Sequence, residues 1–273
     1  MFTPNEHVSK YDVLNTIEYL GLYRPAFMEE ILEDIESTDS LDRVFVYINK
    51  ETHQYLYQYH AHWETLLWIL LHNAQDEEKG GSRVFVRMNE LLESDVYKEK
   101  HSKLIKSMDR HYKDEIRHGK FFMKAANIAA EEFGTKIADN PDASVGNDIA
   151  ENLMIKVPMP LFDLMSAIFS IELRSYVMIV NTIKHINKLS KNNVVFDKII
   201  ECINSIPSDE AYHVLYTAKY LEEELDTDMN KRKSRIKIIS DSMKHAGNEM
   251  CDHINSHEQS VINQGGITAL SKI

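Results

Sequence analysis

Residues 95–134 read DVYKEKHSKLIKSMDRHYKDEIRHGKFFMKAANIAAEEFG. Leu104, Ile105, Met108, Tyr112, Phe122, Ala125, Ala126 and Ala129 recur at intervals of three and four, the period of one helical face, and Gly134 supplies a C-terminal stop. The spacing predicts a helix over Asp95 to Phe133. Within it His111, Asp114, Glu115 and His118 share or border the face that carries the apolar residues.

Outward from this stretch the same period recurs. Short helices are expected over Tyr11–Leu20 and Pro25–Ile35, then a long segment from Leu41 to Asp76 stopped by Gly80-Gly81. Arg43–Tyr47 has strand propensity but is read as helix. Asn140-Pro141-Asp142 marks a turn before a short helix. Pro158-Met159-Pro160 opens a helix to about Leu189, and Pro207 should kink or interrupt the segment from Val194 to Leu225. A last helix should span Met229 to Ser256, and the Gly265-Gly266 tail reads as disordered. The expectation is an all-α single domain over 1–273, with a core at about 41–225 and flanking helices at 10–36 and 229–256.

Composition agrees. Nine Gly and six Pro in 273 residues are too few for the turns of a sandwich, barrel or phosphate-binding loop. A formal charge of −12 argues against a nucleic-acid partner, and the basic run Lys231–Lys237 reads as a solvated helix face. Two cysteines do not make a disulfide framework and fit a reducing compartment. The longest apolar stretch, Met159–Ile171, is too short to span a bilayer, and Met1–Lys10 is not a signal peptide. A cytoplasmic protein with no membrane partner is expected.

The chemistry lies in a repeated motif. Residues 114–118 read Asp-Glu-Ile-Arg-His and 209–213 read Asp-Glu-Ala-Tyr-His. With 25 Glu and 13 His in the chain, roughly one Glu-x-x-His arises by chance, but the form with a preceding Asp should arise less than about once in ten such chains. Two copies are therefore a signal. A pair of metal ions in a helical bundle takes one Glu-x-x-His from each of two helices and one further Glu from each of two others. Glu64 and Glu172, each an acid in an otherwise apolar helix, are the candidates, because an unpaired buried carboxylate is costly. Glu77 or Glu78 could replace Glu64. The interval of 38 residues from Glu172 to Glu210 suits an antiparallel helix pair, whereas the 51 from Glu64 to Glu115 needs an extra loop.

On these motifs the chain resembles the ferritin-like di-iron carboxylate oxygenases and oxidases, and Asp-Glu-Ile-Arg-His is similar to an element of bacterial multicomponent monooxygenases and acyl-carrier-protein desaturases. The resemblance covers about residues 57–225. It implies a ferritin-like four-helix core with additional N- and C-terminal helices, and two iron ions, with manganese as the alternative. Glu64, Glu115 and His118 would bind one ion and Glu172, Glu210 and His213 the other, with Glu115 and Glu210 bridging. Asp114 would orient His213, Asp209 would orient His118, and Arg117 would brace both acids. Tyr212 stands where that Arg would recur. His111 is a candidate extra ligand, since a similar His serves di-iron arylamine N-oxygenases. Ser175 and Tyr176, one turn after Glu172, are candidate proton relays where relatives carry Thr. Phe122 stands where ribonucleotide reductase small subunits carry a radical-forming Tyr, which argues against that function.

The function so implied is O2-dependent oxidation of a small organic substrate: hydroxylation, N-oxygenation, desaturation or C–C cleavage. Electrons would come from an external reductase or ferredoxin, because no flavin or nicotinamide fingerprint is present. A homodimer is implied. Ferroxidase or iron handling without an organic substrate is the alternative.

Overall fold

A computed structural model describes residues 7–93, 95–137, 160–191, 193–225 and 227–263. Every regular element among them is helical: α1 Lys10–Tyr19, α2 Met28–Thr38, α3 Leu41–Val44 followed by a 3-10 turn at Val46–Ile48, α4 Lys50–His60, α5 Trp63–Leu92, α6 Asp95–Lys100, α7 Ser102–Phe133, α8 Leu161–Ser190, α9 Val194–Ile203, α10 Ile206–Glu224 and α11 Met229–Asn263. The all-α expectation holds, and Arg43–Tyr47 is helical despite its strand propensity. The expected turn and helix after Asn140, the Pro158-Met159 opening and the Gly265-Gly266 tail lie outside the described residues.

Local chemistry sets the ends. Ser9 and Asp12 form a reciprocal capping box at the start of α1, and Asn193 accepts from the Val195 N–H at the start of α9. Gly134 closes α7 with φ +76°. Pro207 falls in the first turn of α10, where a missing N–H costs nothing, so it opens a helix after a break instead of kinking one.

Two expectations change. The helix expected over Asp95–Phe133 is divided at His101, which is buried and has non-helical dihedrals (φ −110°, ψ 24°). Gly80-Gly81 does not stop the segment before it: α5 runs straight through both glycines to Leu92. Each glycine inside a helix costs about 1 kcal/mol relative to Ala. Packing overrides that cost, because α5 lies along α7 at this level.

The chain forms two compact units. Met1–Gln58, Met159–Asn181 and Glu210–Ile273 make the first. Here α11 packs on α2, α3 and the 3-10 turn, burying Ile239 and Met243 with Ile31, Leu32, Ile35 and Phe45. Gly247 of α11 meets the Val44 backbone so closely that a Cβ there would stand 2.6 Å from Val44 Cα and carbonyl O. The Phe27 and Phe169 rings meet edge to face at 5.8 Å. The basic run is paired with acids: Arg232 donates a fork of bonds to Glu30, Arg235 faces Glu224 at 3.8 Å and Lys237 donates to Asp241 at 2.7 Å.

Tyr59–Pro158 and Thr182–Asp209 make the second unit. α7 packs along α5 and against α9, burying Leu67, Leu70, Leu71, Met108, Phe122, Ala126 and Ile199, and Trp63 stacks on Phe196 at 4.7 Å. No helix among the described residues is long and apolar enough to cross a membrane.

Candidate metal centre

In the second unit, α7 turns His111, Asp114, Glu115 and His118 inward at intervals of three and four, and all four are buried. His118, with no exposed surface, directs Nδ1 at Glu77 Oε2 (3.4 Å) and Glu115 Oε1 (3.8 Å), while His111 Nε2 stands 3.4 Å from Glu115 Oε1. These separations exceed hydrogen-bond lengths. The two separations of 3.4 Å match the edge of a tetrahedron of donors about 2.1 Å from one ion, and the 3.8 Å one is longer than that edge.

The first unit repeats the arrangement. Glu172 on α8 and Glu210 and His213 on α10 are buried, and His213 Nδ1 faces Glu172 Oε2 at 3.4 Å and Glu210 Oε2 at 3.6 Å. Each imidazole thus presents Nδ1 to two carboxylates, one from its own helix and one from another. Within the second unit the ligand atoms of Glu77, Glu115 and His118 fall within 4.8 Å of one another, and within the first so do those of Glu172 and His213. These buried Glu and His groups could hold a metal ion. The donor set is one of hard carboxylate oxygens with imidazole nitrogens and no thiolate.

The other side of His118 is built to hold the ring. Its Nε2 lies 3.3 Å from Asp209 Oδ2, and Arg117 Nη2 donates to that same oxygen (2.8 Å) and to Asp114 Oδ1 (2.7 Å). Arg110, which the sequence reading did not single out, adds a contact at 3.3 Å to Asp114 and one at 3.5 Å to Asp209. Burial works against the Arg117 charge, but its bonds to Asp209 and Asp114 prevail and hold its proton more firmly than usual. Two guanidiniums thereby balance two aspartates. On α10, Tyr212 occupies the place of the bracing Arg and sets its ring against His213 at 6.3 Å and Tyr216 at 5.7 Å.

The first Glu position is where the geometry departs most from the sequence reading. Glu77 faces His118. The Glu64 side chain lies outside the described residues, yet the two acids are 13 positions apart on one unbroken helix, about 20 Å along its axis. One signal points to Glu77 in the sequence itself. Glu77 precedes Glu115 by 38 residues, as Glu172 precedes Glu210, and Glu77, Asp114, Glu115 and His118 each recur 95 positions later as Glu172, Asp209, Glu210 and His213.

The candidate relays are placed as follows. Ser175 is half-buried on α8. The Tyr176 hydroxyl donates to the Leu20 carbonyl at 3.0 Å, which commits its proton to the α1 end, and burial raises it above its usual range.

Comparison with protein-family models, with curated proteins and with solved structures finds no match.

Proposed function

We propose that the chain is a ferritin-like di-iron protein that uses O2 to oxidise a small organic substrate. The observation that carries this reading is the doubled donor set: one Glu and one Glu-x-x-His around His118, and the same around His213. Four carboxylates carry four negative charges, which two divalent cations neutralise. Neutralisation matters because Glu115, Glu172 and Glu210 are all buried, where uncompensated charge is costly.

In this reading Glu77, Glu115 and His118 hold one ion and Glu172, Glu210 and His213 the other. Glu115 and Glu210 are the acids that precede the two His residues by three positions. His111 supplies a further nitrogen beside Glu115. A pair of ferrous ions so held supplies the two electrons that O2 reduction needs, and an external reductase or ferredoxin would replace them.

The chain's own work is to fix donors and protons. Asp209 accepts from His118 Nε2, which leaves Nδ1 as the donor atom toward metal and fixes the ring plane. Arg117 donates to Asp209 and holds it in place. The buried apolar residues that follow each His, Phe122 on α7 and Val214 on α10, keep water away from the donors. Tyr176 is not needed in this scheme, since its hydroxyl is bonded to Leu20.

The test is anaerobic loading with Fe(II), a count of iron per chain, and O2 uptake with and without an amine, aldehyde or fatty-acyl substrate panel. About two irons per chain, lost in Glu115→Ala and Glu210→Ala, with substrate-dependent O2 uptake, is the expected result. Iron binding with O2 uptake that no organic compound alters would replace the oxygenase reading by ferroxidase. No iron above background would remove the metal.

A further inference from the structure

Gly80 and Gly81 occupy the middle of α5, on the stretch that faces α7, and both meet the same residue. A Cβ on Gly80 would stand 3.0 Å from Glu115 Oε2. A Cβ on Gly81 would stand 2.8 Å from Glu115 Cβ, 3.5 Å from its Cγ and 3.3 Å from the Tyr112 carbonyl oxygen. Thus the whole Glu115 side chain, from Cβ to carboxylate, lies against bare helix backbone. At the positions 95 residues later the chain carries Ser175 and Tyr176, so the second half of the repeat has side chains where the first has none.

We infer that Gly80 and Gly81 are positioning residues for Glu115: their missing side chains are what lets its carboxylate stand between His118, His111 and the α5 backbone. The inference rests on the metal-centre reading and assigns to the glycine pair the task of setting one carboxylate of it. Two glycines inside a helix lower its intrinsic stability. A sequence selected for the helix alone would carry Ala there, so the space must serve the neighbour. The neighbour is a buried acid 3.8 Å from His118 Nδ1 and 3.4 Å from His111 Nε2, not an apolar side chain whose packing could absorb a methyl group elsewhere.

The two positions differ in what a methyl group would meet. At Gly81 it meets Cβ and a backbone carbonyl, which move only if α5 and α7 separate. At Gly80 it meets only the free end of a side chain. Relief there requires the carboxylate oxygen to retreat by about 0.5 Å to reach an ordinary contact distance. That is about the tolerance within which a metal-binding constellation must be held. Gly80→Ala therefore separates positioning from packing: the helix gains a better former, and only the ligand moves.

The experiment measures apoprotein Tm and Co(II) binding, by titration and by the visible absorption of the bound ion, for the full chain, Gly80→Ala and Gly81→Ala. The expected result is that Gly80→Ala keeps or raises the apo Tm while binding Co(II) at least tenfold more weakly, with an altered visible spectrum, and that Gly81→Ala lowers Tm. Wild-type affinity and spectrum in Gly80→Ala would overturn the inference. So would a fall in its apo Tm, because packing and not Glu115 would then be what the glycine serves. If the unaltered chain binds no Co(II), the metal-centre reading itself fails and the positioning role falls with it; if it binds and Gly80→Ala binds equally, only the positioning role fails.

Discussion

Asp209→Asn tests the support of His118 without touching a proposed ligand. Asp209 receives the Arg117 guanidinium at 2.8 Å and the Arg110 guanidinium at 3.5 Å, and stands 3.3 Å from His118 Nε2. The replacement keeps the shape and removes the charge. Its single amide oxygen can still serve Arg117, but its NH2 then faces Arg110 or the His118 N–H, donor to donor. Losing such a partner behind a metal-bound imidazole costs about 10–100-fold in affinity, or roughly 1.4–2.7 kcal/mol. The cost to the apoprotein should be smaller. The Arg117 side chain is 44% exposed, so its pairing with Asp209 is screened and contributes no more than about 1 kcal/mol, a Tm change of roughly 2–4 °C for a chain of this size. Anaerobic titration with Co(II) beside apo thermal unfolding reads both quantities. Arg117→Gln is the comparator: Asp209 keeps its charge at His118, so the loss should stay below about tenfold. Affinity for Asp209→Asn within twofold of the unaltered chain would refute the idea that Asp209 holds the imidazole for a metal.

Other outcomes follow from the same geometry. Glu77→Gln should abolish binding of about one ion per chain while Glu64→Gln leaves stoichiometry unchanged, read by metal analysis after gel filtration; the opposite pattern would restore Glu64 as the ligand. Gly247→Ala should destabilise by about 2 kcal/mol, because overpacking against the unyielding Val44 backbone at 2.6 Å falls at the upper end of a roughly 1–3 kcal/mol range and the helix gain returns about 1; a calorimetric Tm unchanged or higher would show that α11 is free to shift. Glu249 joins His245 (3.2 Å) to Arg174 (3.3 Å). Burial pushes Glu249 up, but the His245 bond and Arg174 prevail and hold it below its usual range, while the Glu249 bond raises His245 against the effect of burial. The raised imidazole stabilises the fold fully below about pH 6.5 and progressively less as pH rises through its folded value; the lowered carboxylate contributes fully above about pH 4.5 and is lost on acidification. The Tm advantage of the unaltered chain over His245→Gln should therefore be largest between those limits and vanish in alkali, and a flat difference would sink the pairing.

Periodicity carried most of the helical reading, because long amphipathic helices repeat their apolar residues whatever they pack against. It failed where tertiary packing overrules local preference. Gly80-Gly81 looks like a stop because glycine is a poor helix former, and nothing local reveals that a carboxylate on a helix begun twenty residues later needs that space. The same expected stop put Glu77 just past the helix end, which ranked it behind Glu64 as a candidate ligand. His101 shows the converse: a good amphipathic period runs across a break that only the buried placement of the imidazole reveals. Arg110 was invisible for another reason, as an arginine on an exposed face has no signature until its acceptors are seen.

The donor sets around His118 and His213 repeat, with the Asp before each Glu-x-x-His, but the other residues singled out around them do not. Glu77 and Glu172, Asp114 and Asp209, Glu115 and Glu210, His118 and His213 correspond at one constant offset, yet Arg117 is answered by Tyr212, His111 by Ile206, and Gly80-Gly81 by Ser175-Tyr176. Near His118 the surroundings are charged and rigid, with two guanidiniums clasping two aspartates and bare backbone under Glu115. Near His213 they are aromatic, with Tyr212 and Tyr216 against the ring. Donor identity sets which metals bind, but the partners behind the donors set affinity and potential. Ions held by the same Glu and Glu-x-x-His donors, with His111 beside only one set, in such different surroundings would bind with unequal strength, so metal titration should resolve two steps, the step belonging to His118 being the one that Asp209→Asn and Gly80→Ala weaken.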